Sequence, residues 1–361
     1  MNVGIYDDGP QVVIWEMTRA CALACKHCRA EAIPKRNEHE LSTLEAYNLV
    51  DEIASNGRCI FILTGGDPFM RPDIFDIVKY ATEANLSVAV SPSGTGRLTK
   101  ASLERLAGAG CRRMSLSIDG PNAEVHDAFR GVKGTFARTL TAAGHARAAG
   151  IELQINTTVA RHNNTMLKQM PAVIEQIDAA VWTAFFLVPT GRAQIEDCLD
   201  ADGFERAFAD LFEIWRGNPP FMIKTTEAPH YRRYVKQHLA EIPAGQMPAH
   251  AEYYRMPAIG DGKGFVFVSH LGDICPSGFL EIAAGNVRKD RLMDVYRNDP
   301  TFRRLRDADR TNGKCGFCDY RGLCGGSRAR AYGFSGDPFG PEPCCSYQSP
   351  AYLAHLQTVG V

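Results

Sequence analysis

A succession of six strand-and-helix units most narrows the folds open to this 361-residue chain. Cys59-Ile-Phe-Ile-Leu63 is a continuous apolar run, the pattern of a strand buried on both faces of a parallel sheet. An opening strand precedes it within Val12-Val-Ile-Trp-Glu-Met-Thr18, and further strands are predicted at 86–90, 113–118, 151–159 and 181–188. Between them the spacing of apolar residues predicts helices over 43–55, 99–109, 135–149, 166–176 and 203–215. Ser42-Thr-Leu-Glu45 reads as a capping box, and Pro72 suits the first position of a helix with Ile74, Ile77, Val78 and Ala81 on one face. Units in this order imply an α/β fold with a parallel sheet and right-handed crossovers, either doubly wound or a partial barrel. Periodicity alone leaves both open.

Past residue 216 the alternation weakens. Prolines 219, 220, 229, 243, 248 and 257 mark a connecting region, 217–263, with one strand at 221–225. From Gly264 a second unit begins with a hairpin, Phe265-Val-Phe-Val268 and Ile274 about Gly272-Asp273. The expected organisation is a core over 1–216, the connection, and a small domain over 264–361. A net charge of -1 and a pI near 6.8 give no field that would recruit nucleic acid or an acidic membrane. Twelve cysteines, with no signal peptide and no apolar run of about 18 residues, point to the reducing cytoplasm.

Nine of those cysteines fall in two sets. The first is Cys21-Ala-Leu-Ala-Cys25-Lys-His-Cys28. Three thiolates ligate three irons of a four-iron cluster and leave the fourth open to a reacting ligand. Zinc on three cysteines and His27 is an alternative, although His27 cannot easily turn to the metal that its neighbour Cys28 binds. Simple core packing is another. Ligands of parallel α/β sheets gather at the carboxyl ends of strands, so those ends are the places for chemistry. They hold Thr64-Gly65-Gly66-Asp67-Pro68, Ser91-Pro-Ser93, Ser115-Leu-Ser117-Ile-Asp119, Asn156, and Val188-Pro189-Thr-Gly191-Arg192. Paired glycines allow close backbone approach, a carboxylate accepts from an ammonium, and hydroxyls suit a ribose. Ordinary turns, helix caps and solvated side chains would use the same residues.

The cysteine loop and these strand ends together resemble the radical S-adenosylmethionine (SAM) superfamily over roughly residues 10 to 215. The resemblance implies a partial (β/α)6 barrel whose first [4Fe-4S] cluster, on Cys21, Cys25 and Cys28, binds SAM. Gly65, Gly66 and Asp67 would hold the SAM amine, with Asp67 one methylene shorter than the family's glutamate. Ser93 and Ser117 would face the ribose, Arg130 the carboxylate, and Asn156 and the backbone near Val188 the adenine. One electron would then cleave SAM to a 5′-deoxyadenosyl radical that takes a substrate hydrogen.

The second set is Cys275 with Cys315-x2-Cys318-x5-Cys324 and Cys344-Cys345, and its C-terminal array can close a zinc site or ligate all four irons of another cluster. It resembles the small iron-sulfur SPASM or twitch domain of radical SAM proteins. Asp290, Ser327 and Arg328 stand where further cysteines of a full SPASM domain are expected. One auxiliary [4Fe-4S] cluster on Cys315, Cys318, Cys324 and Cys345 is therefore implied, with Cys344 as the alternative last ligand and Cys275 a spare thiol close by. The tail looks closest to radical SAM enzymes of alternative heme biosynthesis, which decarboxylate or remove tetrapyrrole propionates. A maturase of ribosomally made peptides is the alternative, disfavoured by the lack of a separate N-terminal peptide-recognition domain. A non-catalytic iron-sulfur electron carrier is a second, which would need no nucleoside pocket. The implied partners are a tetrapyrrole-like or peptide substrate and an electron donor such as flavodoxin or ferredoxin. Arg232 and Arg233 are candidates for bidentate propionate binding, or else belong to a solvated helix face.

Overall fold

The strands of this chain stand side by side in the order in which they occur. A computed structural model describes residues 6–243, 245–307, 309 and 311–359. In it β1 (Val12–Glu16), β2 (Ile60–Thr64), β3 (Ser87–Val90), β4 (Arg113–Ser117), β5 (Glu152–Val159), β6 (Val181–Phe186) and β7 (Met222–Thr226) pair in parallel, each with the next. A doubly wound sheet reverses direction partway, whereas this order runs one way, as a barrel does. The sheet does not close. On the far side of β1 it continues into β8 (Phe265–Val268), parallel to β1, and then into β9 (Asp273–Cys275) and β10 (Gly285–Asn286), both antiparallel to their neighbours. The segment read as a connection thus supplies a seventh parallel strand, and the expected hairpin adds to the same sheet.

The crossovers are α1 (Thr43–Ser55), α2 (Ile74–Glu83), α3 (Lys100–Gly108), α4 (Ala123–Arg130), α5 (Thr135–Ala148), α6 (Met170–Ile177) and α7 (Ala201–Arg216). After β7 come α8 (Tyr231–His238) and α9 (Ala251–Arg255), and after β10 α10 (Leu292–Asn298), α11 (Pro300–Arg306), α12 (Gly313–Gly316), α13 (Arg328–Ser335) and α14 (Pro350–Val359). Ser42 and Glu45 form the expected capping box on α1. Pro72 does not open α2, which begins at Ile74 behind Asp73. Pro68 instead starts a single 3-10 turn capped by Asp67. Helix α4 is not apparent from periodicity, because its buried face is made by His126 and Phe129 and not by an aliphatic series.

The strands differ from the expectation in one respect that matters for function. Their outer residues, such as Trp15, Phe61, Leu63, Leu116 and Trp182, are buried beneath the helices. Most of their inner residues are not, Val12, Glu16 and Thr183 being the exceptions. Ile60 is 36% exposed, and Ile62, Ser117, Asn156, Phe185 and Lys224 are half-buried. The apolar run of β2 is therefore buried on one face only, and its other face lines an open interior.

Candidate active site

The cysteine loop leaves the carboxyl end of β1 and is tied at both of its flanks to one carboxylate. Glu16, fully buried, binds Arg29 Nη2 at 2.5 Å, Arg19 Nε at 3.2 Å and His270 Nδ1 at 2.8 Å. Burial pushes its carboxyl up, but Arg29, the His270 bond and Arg19 outweigh it and hold the group at about 2. The same arginines reach Glu281, and Arg29 also donates to Gly278 O at 3.2 Å. Residues beyond β9 thereby brace the loop. A lone acid in the apolar run of β1 was the sequence signal for this network.

Gly65 and Gly66 pack against the start of that loop. The Gly66 amide donates to Thr18 O and the Asp67 amide to Ala20 O, each at 2.7 Å. Gly65 has φ +155°, and a Cβ there would lie 2.3 Å from Thr18 O. At Gly66 it would lie 2.6 Å from both Arg19 O and Ala20 O. The glycines thus serve the close approach of two protein segments. Asp67 is buried, accepting from Phe69 N at 3.1 Å and from Thr95 Oγ1 at 2.9 Å, and burial raises its carboxyl. Ser93 joins the parts, since its hydroxyl donates to Gly66 O at 2.6 Å and accepts from Cys21 Sγ at 3.4 Å.

Arg130, at the end of α4, reaches the loop from the other side. Its Nε lies 2.6 Å from Asp119 Oδ2 and its Nη1 3.9 Å from Cys25 Sγ. Asp119 is fully buried, and its other oxygen accepts from Thr158 N at 2.8 Å. Burial alone would raise this carboxyl, but Arg130 and neighbouring histidines hold it well below the carboxylate range. His27 stacks on Phe129 at 3.9 Å, which stacks in turn on His162 at 3.8 Å. Gly191 (φ +62°) closes on the carbonyls of Cys28 and Arg29, and the Arg192 amide donates to Cys28 O at 3.1 Å.

The remaining candidates divide. Ser117 and Asn156 face the interior as neighbours in one register row that continues through Thr183 to Lys224. Val188 is buried instead against Leu280, Leu305, Ala329 and Phe339. Its backbone can still border a ligand, while its side chain fastens the C-terminal elements.

In the tail, Cys315, Cys318, Cys324 and Cys345 line one cavity with His230, Arg233, Lys314 and Glu342. Backbone amides donate to three of these sulfurs: Tyr320 N to Cys318, Gly326 N to Cys324 and Glu342 N to Cys315, at 3.3–3.4 Å. Such bonds suit thiolates that ligate a cluster. Cys344 is buried in the main core and is absent from the cavity wall. Cys275, on β9, is also outside it and has Glu281 and Asp273 as its charged neighbours, so it is not a thiol beside this cavity. Asp290 uses its carboxylate to accept from Asn286 N at 2.9 Å, and Ser327 caps α13. Arg232 and Arg233 do not form a solvated face, and Arg233 is not a free clamp. Arg232 donates to Tyr253 O at 2.7 Å, and Arg233 pairs with Glu205.

Sequence reasoning also missed a buried polar cluster behind the tail cavity. Arg330 Nε binds Glu342 Oε1 at 2.8 Å, with both side chains almost wholly buried. Glu227 follows β7 at φ +58° and accepts from Ser327 Oγ at 2.5 Å. Burial, and then the nearby Asp261 carboxylate, push Glu227 well above the carboxylate range.

None of the twelve cysteines is joined in a disulfide, and a cluster takes its cysteine ligands as thiolates. Ligation must therefore displace protons, as metal binding does. Among the described residues no three His, Cys, Asp or Glu side chains gather as they would round a single metal ion. No helix among them is long and apolar enough to cross a membrane.

Residues 15–170 match the family model of the radical SAM superfamily. The AdoMet-dependent heme synthase of Nitratidesulfovibrio vulgaris (strain Hildenborough) is 42% identical over 344 residues, spanning 94% of this chain and 92% of that protein. The mycofactocin maturase MftC of Mycobacterium ulcerans is 32% identical over 353 residues, 95% of this chain and 90% of its own. Among solved structures, Streptococcus suis SuiB bound to its precursor peptide SuiA superposes with a TM-score of 0.72 over 94% of this chain and 76% of that one. At 16% identity that likeness speaks for the fold alone. The family implies a four-iron cluster and SAM, and the three-thiol loop at the mouth of an open barrel suits both. The relatives match over almost the whole chain, and the chain is an enzyme that belongs to the radical SAM superfamily.

Proposed function

We propose that this enzyme oxidises the propionate side chains of a tetrapyrrole, and that the observation carrying this reading is a second thiol site, in which Cys315, Cys318, Cys324 and Cys345 line one cavity, in addition to the three-thiol loop that follows β1. The first cluster would be held by Cys21, Cys25 and Cys28, and an auxiliary one by Cys315, Cys318, Cys324 and Cys345. When bound, the first cluster and SAM supply the 5′-deoxyadenosyl radical that takes a hydrogen atom from the substrate. Arg130, oriented by Asp119, would receive the SAM carboxylate. Ser117 and Asn156 would border its nucleoside. Gly65 and Gly66 would fix the loop, with the backbone of the Gly65-Gly66-Asp67 turn nearest the amine, because the Asp67 carboxylate is already engaged within the protein. Loss of one hydrogen atom, of carbon dioxide and of one electron converts a propionate into a vinyl group. That electron needs an acceptor, which is the role the tail site would fill. The higher identity to a heme synthase, 42% against 32% for a peptide maturase over as much of the chain, favours this substrate over a peptide.

The test is anaerobic reconstitution followed by incubation with SAM, a reductant such as reduced flavodoxin, and an iron-loaded tetrapropionate porphyrin. The expected products are 5′-deoxyadenosine and a porphyrin lighter by carbon dioxide plus two hydrogens per converted side chain. Formation of 5′-deoxyadenosine with the porphyrin unchanged, together with turnover of a short peptide, would establish the maturase reading instead.

A further inference from the structure

Two half-buried lysines form no ion pair with a carboxylate among the described residues. Lys224, on β7, shares the inner register row of Ser117, Asn156 and Thr183. Its ammonium lies 5.7 Å from the centre of the Tyr253 ring, and the Arg232 guanidinium lies over the same ring at 4.3 Å. Lys263, just before β8, stands over the Tyr6 ring at 5.8 Å. It is near enough to Cys324 to sense that thiol's charge, as Tyr6 senses Arg232. Among the described residues neither lysine forms an ion pair. The carboxylate acting on Lys224 is that of Glu152, which is bound to Arg113 at 3.1 Å. Burial lowers the Lys224 ammonium below the usual lysine value, and the charge of Arg113 adds to it. Partly desolvated cations over aromatic faces are costly when alone and gain most from an incoming anion.

We propose that Lys224, Arg232 and Lys263, standing on the Tyr253 and Tyr6 rings, form a cradle for the carboxylates of the substrate. The inference rests on the tetrapyrrole reading and assigns residues to it. The three cations sit on different elements, namely β7, α8 and the turn into β8. Such separation suits several carboxylates spread over a rigid frame and not a single phosphate. Lys224 and Ser117 are three strand spacings apart, about 14 Å along the sheet. A porphyrin carrying propionates on its rim can span that distance, placing one edge in the cradle and another near the nucleoside end.

The test uses reconstituted holoenzyme and metal-free porphyrins, with binding followed by quenching of porphyrin fluorescence. Coproporphyrin, with four propionates, is compared with etioporphyrin, which has none. The cradle predicts that Lys224→Gln and Lys263→Gln each weaken coproporphyrin binding about tenfold, as expected for loss of a charge-assisted contact, while etioporphyrin binding stays unchanged. Lys224→Arg should retain affinity within about threefold, which separates charge from folding. Equal weakening for both porphyrins, or wild-type affinity in both glutamine variants, overturns the cradle. Wild-type enzyme that forms 5′-deoxyadenosine but binds no coproporphyrin overturns the cradle and leaves the radical chemistry standing. Enzyme that binds coproporphyrin with the expected variant losses but forms no nucleoside sustains the cradle and overturns the proposed reaction.

Discussion

Asp119 and Arg130 are locked together, Oδ2 to Nε at 2.6 Å, and the same guanidinium reaches Cys25 Sγ. One ion pair thus joins the end of β4 to the cysteine loop. Removing either member leaves the other charge without its partner in a largely buried site, at a cost of about 3–5 kcal/mol. Arg130→Met is expected to lower the melting temperature and to weaken SAM binding at least tenfold by equilibrium dialysis. Arg130→Lys should keep much of the stability and lose most of the binding, since an ammonium cannot serve Asp119 and a second carboxylate as a fork does. Undiminished SAM binding in Arg130→Met would remove Arg130 from the site.

Gly66→Ala should cost the first cluster. The added Cβ would lie 2.6 Å from two backbone carbonyls just ahead of Cys21, and backbone cannot swing aside as a side chain can. The expected outcome is iron content reduced toward that of the Cys21→Ala variant, with the tail site still loaded. Full iron content in Gly66→Ala would show that the loop tolerates the shift.

The two adjacent tail cysteines should behave differently. Cys345→Ala is expected to lose about half the bound iron, on the order of four atoms per chain if both sites hold four-iron clusters. Cys344→Ala should keep its iron and show only the modest destabilisation of a small core cavity. Iron and sulfide analysis with electron paramagnetic resonance of the reduced protein distinguishes them, and the reverse pattern would reassign the last ligand.

Glu227 makes stability depend on pH in a definite direction. Its carboxyl is raised by burial and by Asp261, so the folded chain holds a proton that the unfolded chain releases. The stabilisation is complete below the ordinary glutamate value of about 4.5 and is lost as pH rises into and beyond neutrality. Glu227→Gln mimics the protonated acid. Its melting temperature should match the wild type near pH 5 and exceed it near pH 9, and parallel curves would sink the assignment.

Much of the site could be read before any fold was known. Cys21, Cys25 and Cys28 are local in sequence, and the glycines and hydroxyls follow strands that apolar runs reveal. Resemblance favours Cys345 over Cys344 as the last tail ligand, but only the fold puts Cys345 on the cavity wall and Cys344 in the core, because adjacent residues differ in which way the folded backbone turns them. Glu16 and His270 are 254 residues apart, and no periodicity links them. The functions of Arg232, Arg233 and Glu227 were equally hidden, since each depends on what packs around it.

The sequence alone determined the succession of strand-and-helix units and the two thiol sets, because those rest on spacings of a few residues. Tertiary structure decided that β7 and β8 extend the sheet on opposite sides and that its inner face stays open. It also decided that Lys224 stands on the inner register row and, like Lys263, forms no ion pair with a carboxylate among the described residues. Pairing of strands and desolvation of charges are set by neighbours distant in the chain, and only folding brings those neighbours together.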